Sequence, residues 1–193
     1  MKDIIDDILQ ESIRVKEQVV SEYGNDLIIL AQKIVESFTS DRKLMLCGNG
    51  GSAAIAQHIA AKFVNRLEME RPPLPAISLS TDTSIITSIG NDYSFNDIFT
   101  KQIKAIGLEG DVLIAISTSG NSQSVISAVE TARDMGIFVG GFTGGKGGKL
   151  KEECDLCLTV SSDITARVQE SHIFTGHIIC RLVDYLLFQG GDD

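Results

Sequence analysis

Apolar residues recur at helical spacing over residues 3–22 and 25–38, first at Ile4, Ile8, Val15 and Val19, then at Leu27, Leu30, Ile34 and Phe38. This spacing predicts two helices parted by Gly24-Asn25. Their apolar stripes need cover, which either a partner subunit or the chain's own sheet can supply. Beyond residue 40 the pattern alternates. Short apolar runs at Leu44–Cys47, Ala76–Leu79, Val112–Ile116, Phe138–Phe142 and Leu156–Val160 read as strands. Helical stretches fall at about 53–66, 84–89, 95–105 and 123–135, and a long closing helix runs from about 165 to 188. Near-continuous apolar strands alternating with helices argue for a parallel sheet covered on both faces, so the expected fold is a five-stranded α/β three-layer sandwich. Pro72-Pro73-Leu74-Pro75 stops the helix before the second strand. No repeat or long linker divides the chain, which reads as one domain over 1–193 with residues 1–40 as a helical extension.

Two segments stand where a strand gives way to a helix: Cys47-Gly-Asn-Gly-Gly-Ser52 and Ser117-Thr-Ser-Gly-Asn-Ser122. Turns of this kind expose backbone N–H groups and helix N-termini, which suit an anion and above all a phosphate. Gly48, Gly50 and Gly51 let a ligand approach the main chain, and Ser52 either caps the next helix or offers its hydroxyl. The spacing is neither the dinucleotide GxGxxG fingerprint nor a nucleotide P-loop. Ser117, Thr118, Ser119 and Ser122 supply a second set of hydroxyls, and the two loops can converge if their strands are neighbours. Asn91-Asp92, placed between Gly90 and a helix starting near Phe95, is either an Asx turn or a binder of sugar hydroxyls. Gly144-Gly-Lys-Gly-Gly148 reads as a further rim loop with Lys146 facing solvent.

Composition narrows the ligand. The 26 acidic and 17 basic residues give a net charge of −9, which offers no broad cationic surface for direct nucleic-acid binding. The first residues lack the form of a signal peptide and no apolar stretch is long enough to cross a bilayer, so a cytoplasmic protein without membrane contact is expected. Cys47, Cys154, Cys157 and Cys180 lie in apolar runs, which favours buried free thiols over a disulfide framework. Cys154-Asp-Leu-Cys157 has CxxC spacing, which a redox or metal pair would share, but no second pair accompanies it and Leu156, Leu158 and Val160 around it read as a strand, so structural thiols are expected.

Of the three histidines, His58 follows the first glycine loop by less than two helical turns. Gln169 and His177 are eight residues apart and share roughly one face of the closing helix, while His172 reads as a surface or satisfied core residue. A site where these two helices meet could hold zinc through two imidazoles and an amide oxygen, provided a fourth oxygen completed the shell.

CGNGGSAAIAQH, TSIGNDYSFNDIF, GDVLIAISTSGNS and ARVQESH occur in this order. Together they resemble the motifs of the phosphoheptose isomerases, a branch of the sugar isomerase (SIS) family, and the resemblance covers nearly the whole chain. It implies a flavodoxin-like SIS fold with N-terminal helices used in oligomerisation. It further implies conversion of sedoheptulose 7-phosphate to D-glycero-D-manno-heptose 7-phosphate for ADP-heptose and lipopolysaccharide core synthesis, in a cytoplasmic homotetramer with active sites between subunits. The family's substrate-binding positions correspond to Asn49, Gly50, Gly51, Ser52, Asn91, Asp92, Ser117, Thr118, Ser119, Ser122 and Gln169. Its one zinc per subunit corresponds to His58, Gln169 and His177, and its catalytic acid/base to His177. The family's usual glutamate, metal ligand and base, is replaced here by Lys62, which becomes the second catalytic candidate. Glu68, Glu70 and Glu170 are the carboxylates that could stand in for it. The same branch implies an alternative function, a noncatalytic sugar-phosphate-binding or replication-initiator-binding regulator.

Overall fold

A computed structural model of the chain describes residues 1–190. Five strands, β1 (Leu44–Gly48), β2 (Ala76–Ser78), β3 (Val112–Ser117), β4 (Phe138–Gly144) and β5 (Leu156–Val160), form one sheet in the order β2-β1-β3-β4-β5. Every pairing is parallel, with Leu44 opposite both Ala76 and Val112, Val112 opposite Phe138, and Gly140 opposite Leu156. Among the described residues seven α-helices flank it: α1 (Lys2–Thr39), α2 (Gly51–Val64), α3 (Thr83–Asp92), α4 (Thr100–Ile106), α5 (Gln123–Asp134), α6 (Leu150–Glu153) and α7 (Thr165–Phe188). The expected three-layer sandwich is therefore observed.

Strand periodicity divides the core in two. Leu44 and Leu46 of β1 face a layer containing Ile34, Ile59, Phe63 and Val183 from α1, α2 and α7. Met45 and Cys47 face the opposite layer, with Ile103, Val125 and Val129 from α4 and α5. Both faces are thus dry, and all of β1 and β3 is buried, which explains their unbroken apolar sequence.

Several boundaries differ from the sequence reading. The two N-terminal helices are one 38-residue helix that runs through Gly24-Asn25. A glycine inside a helix costs only about 1 kcal/mol, and packing of α1 on α7 and β5 offsets that. The cover for this helix is divided: Leu27, Leu30, Ala31 and Ile34 are buried in the chain's own core, whereas Ile4, Ile5, Ile8 and Leu9 are exposed. The helix expected over 95–105 is a 3₁₀ turn at Phe95–Asp97 followed by α4. Asn91 and Asp92 form the last turn of α3, ahead of the 3₁₀ turn at Phe95. The one-turn α6 had no counterpart in the sequence reading.

Candidate active site

β1 and β3 are neighbours, yet the chain leaves β1 toward β2 on one side and returns to build β3, β4 and β5 on the other. This is the topological switch point of the sheet, where loops beyond the carboxyl ends of the strands part and leave a crevice. The two glycine–serine loops leave β1 and β3 at this crevice. They are also joined directly: the Asn49 Nδ2 donates to the hydroxyls of Ser122 and Ser124, each at 2.8 Å. The convergence that the sequence left conditional is therefore met.

Gly50 adopts φ 54° at the N-cap of α2, a left-handed conformation that strains any residue with a side chain. Gly51 matters for space instead, because a Cβ there would overlap the Gln169 amide. The missing side chain lets α7 lay Gln169 across the first loop. No side chain caps α2, so Ser52, buried in its first turn, is not the helix cap. Nor does a side chain cap α5, whose N-cap Ser122 turns its hydroxyl to Asn49 and leaves the first N–H groups of that helix for a ligand. Ser117 is buried, whereas Thr118 and Ser119 line a cavity of about 370 Å³ with Gly145, Lys146, Ser162 and Asp163. Lys146, exposed as expected, stands at its rim.

His58 of α2 and His177 of α7 meet with their Nε2 atoms 2.7 Å apart, an imidazole–imidazole hydrogen bond. Desolvation, then the charge of Lys62, lowers the pKa of His58. Desolvation, His58 and Lys62 lower that of His177 against a smaller upward pull from Glu68. Both rings are therefore neutral near pH 7, and one proton is shared across the contact. Half-buried Lys62 lies one turn beyond His58 and makes no ion pair among the described residues.

The zinc expectation does not hold. Among the described residues no group of three or more His, Cys, Asp or Glu side chains could hold a metal ion. The local chemistry explains this. Two nitrogens bound at 2.0–2.1 Å to one tetrahedral zinc stand roughly 3.3 Å apart, whereas these two imidazoles meet at 2.7 Å in a direct hydrogen bond. Lys62, with no lone pair when protonated, occupies the position from which the carboxylate completing the shell would come. Glu68 is paired with Arg181 and Glu70 with Arg66. Glu170 accepts from Ser12 and from Arg167, and although burial pushes its pKa up, these bonds outweigh it and the carboxyl stays ionised. None of the three carboxylates stands in for the missing glutamate.

Two other candidates resolve differently. Asn91 and Asp92 are exposed and bond each other at 2.8 Å, and no hydrogen bond joins them to either loop. His172 is a core residue, 1 % exposed, with Nε2 3.1 Å from the Thr143 carbonyl. The sequence reading missed Ser124, whose only signal was its place in the first turn of the helix after the second loop.

Comparison with known proteins follows the same lines. The SIS domain family model matches residues 8–144. The phosphoheptose isomerase of Nitratidesulfovibrio vulgaris (Hildenborough) is 51% identical over 179 residues, covering 93% of this chain and 86% of its own. That of Aneurinibacillus thermoaerophilus is 48% identical over 191 residues, covering 98% and 96%. The solved structure of the Neisseria gonorrhoeae phosphoheptose isomerase superposes with a TM-score of 0.89 at 41% identity, covering 95% of this chain and 98% of that one.

Proposed function

The chain belongs to the phosphoheptose isomerase branch of the SIS family and is an aldose–ketose isomerase, and on that premise we propose how its own residues carry the reaction. The substrate is sedoheptulose 7-phosphate and the product D-glycero-D-manno-heptose 7-phosphate. The observation that carries this reading is the Asn49 bridge to Ser122 and Ser124, which locks two anion-binding loops into one cradle beside the His58–His177 pair. Backbone N–H groups of residues 49–51 and the uncapped start of α5, with the hydroxyls of Ser52, Ser117, Thr118, Ser119 and Ser122, hold the phosphate. Gln169, laid across the first loop against Gly51, binds sugar hydroxyls.

Neutral His177, donating its Nε2–H to His58, takes the proton from C1 on its remaining lone pair at Nδ1, and the electron pair flows onto the carbonyl oxygen at C2. The Lys62 ammonium stabilises that oxygen as it becomes anionic and protonates it; Lys62 then accepts the proton from the C1 hydroxyl as His177 returns its own to C2. The double bond has moved from C2 to C1 and both residues end as they began. His58 holds His177 in place through the shared proton. No step passes through a metal.

The exposed Ile4, Ile5, Ile8 and Leu9 support assembly through α1 into a homotetramer with sites between subunits. A cytoplasmic setting accords with four free cysteines; no described helix is long and apolar enough to cross a membrane. The test is to incubate the purified protein with sedoheptulose 7-phosphate and follow the aldose product. The wild type is expected to form it and His177→Ala to lose at least about a hundred-fold in kcat. Binding of the sugar phosphate with no product from the wild type would overturn the reading in favour of a noncatalytic binding protein.

A further inference from the structure

The four cysteines, all read as buried thiols, fall into two kinds. Cys47 and Cys180 are buried in the core, where desolvation pushes each thiol up to about 12, and they are inert. Cys154 and Cys157 are only half-buried. Cys157 stands on edge strand β5 directly opposite Gly141 of β4. A methyl group at Gly141 would lie 2.6 Å from Cys154 Sγ and 3.0 Å from Cys157 Sγ. Both sulfurs therefore converge on the space that this glycine leaves empty, one arriving from the end of α6 and the other from β5. Hydrogen bonding from Cys154 is the main cause that brings Cys157 down to about 7, assisted by the hydroxyls of Thr143 and Thr159 and the charge of Lys151 against the upward push of burial. Cys157 is thus the nucleophile of the pair and Cys154 the resolving thiol.

The pair also has a route to the phosphate cradle. At the other end of α6, the Leu150 N–H donates to the Gly120 carbonyl at 2.9 Å and the Lys149 N–H to Asn121 Oδ1 at 3.2 Å. One helical turn therefore ties the dithiol to the Ser119–Asn121 bend.

We propose that Cys154 and Cys157 are a thiol–disulfide exchange site, whose oxidation moves α6 and loosens the second phosphate-binding loop. The Cys157 thiolate attacks one sulfur of a low-molecular-weight disulfide, releasing one thiolate and forming a mixed disulfide. The Cys154 thiol, losing its proton to solvent, attacks Cys157 Sγ and releases the second thiolate. The protein is oxidised by two electrons and the small disulfide is reduced to two thiols. The exchange site stands on the convergence of the two sulfurs at Gly141, and the lowered Cys157 thiol decides only which sulfur attacks first; the link to the loop rests on the phosphate-binding role proposed above.

The full-length protein, reduced and then treated with oxidised glutathione, tests it without substrate. The expected product is lighter by two hydrogen atoms, with Cys154 and Cys157 alone protected from alkylation and recovered by dithiothreitol. Cys154→Ser is expected to stop at a stable glutathione adduct on Cys157. Cys157→Ser should form neither the adduct nor the disulfide. Gly141→Ala, which fills the space, is expected to block ring closure. A wild type that stays fully alkylatable, or that keeps a glutathione adduct, would overturn the exchange site. If the disulfide forms, the KM for the sugar phosphate is expected to rise several-fold in the oxidised protein and return on reduction. An unchanged KM with normal turnover would overturn the coupling, whereas absence of turnover in the reduced protein would count against the proposed reaction and leave the disulfide readout intact.

Discussion

At the residue scale the chemistry turns on one substitution of charge. Lys62 places a cation where the family resemblance implies a carboxylate, and its field adds to desolvation in lowering the pKa of both neighbouring imidazoles. Lys62→Met removes the charge and keeps the stem. The variant is expected to lose about a hundred-fold or more in kcat with a smaller change in KM. Its acid limb in kcat/KM should move to higher pH, because without the ammonium both imidazoles take up protons sooner. An acid limb that stays in place would show that Lys62 does not face the pair. The positions of His58, Gln169, His177 and the two loops were legible in the sequence because each sits at a fixed offset from a strand end or along one helical face. The contact between the two imidazoles was not. It depends on how closely α2 and α7 approach, which residues 119 apart in the chain cannot reveal.

At the element scale, that approach is fixed by a buried ion pair. Arg71, in the segment after α2, donates to Asp184 of α7 at 2.9 Å, with both side chains almost wholly buried. The same guanidinium donates to the carbonyls of Phe63 and Lys62 at the end of α2, satisfying groups that a helix C-terminus otherwise leaves open. Asp184→Ala strands the arginine charge in the core and is expected to cost about 3–5 kcal/mol in denaturant unfolding. It should also slow turnover, since α2 and α7 carry His58 and His177. A loss well under 1 kcal/mol would mean that the pair is not the clamp described. Neither Arg71 nor Asp184 stands out in the sequence, since nothing beside either one in the chain announces the other. The elements themselves were read more successfully: all five strands appear where short apolar runs placed them, most plainly β1 and β3, whose full burial leaves an unbroken apolar sequence. Errors fell where packing overrides local signals, as at Gly24 inside α1, or where an element is too short for any periodicity, as in α6.

At the scale of the whole molecule, the fold sets how the protein answers to acid. His172 is packed beside Phe142 and bonded to the Thr143 carbonyl, and burial pushes its pKa down from 6.5 to about 4. Because the unfolded chain binds this proton first, the contribution of His172 is complete above about pH 6.5 and is lost as pH falls toward about 4, by an order of 3 kcal/mol. Urea midpoints are expected to fall across that window and to fall less in His172→Gln; equal slopes in the two proteins would exclude His172 as the cause. The parallel sheet with its switch point between β1 and β3 brings the two loops together, and that much followed from the order of strands and helices once β1 and β3 were known to be adjacent. The central claim is that this chain performs its isomerisation with its own side chains, and it is tested most directly by turnover of sedoheptulose 7-phosphate after exhaustive chelation, with metal content measured on the same sample. The account predicts an undiminished rate at negligible zinc content and no gain when zinc is added. A rate that vanishes with the chelator and returns with one equivalent of zinc would contradict it.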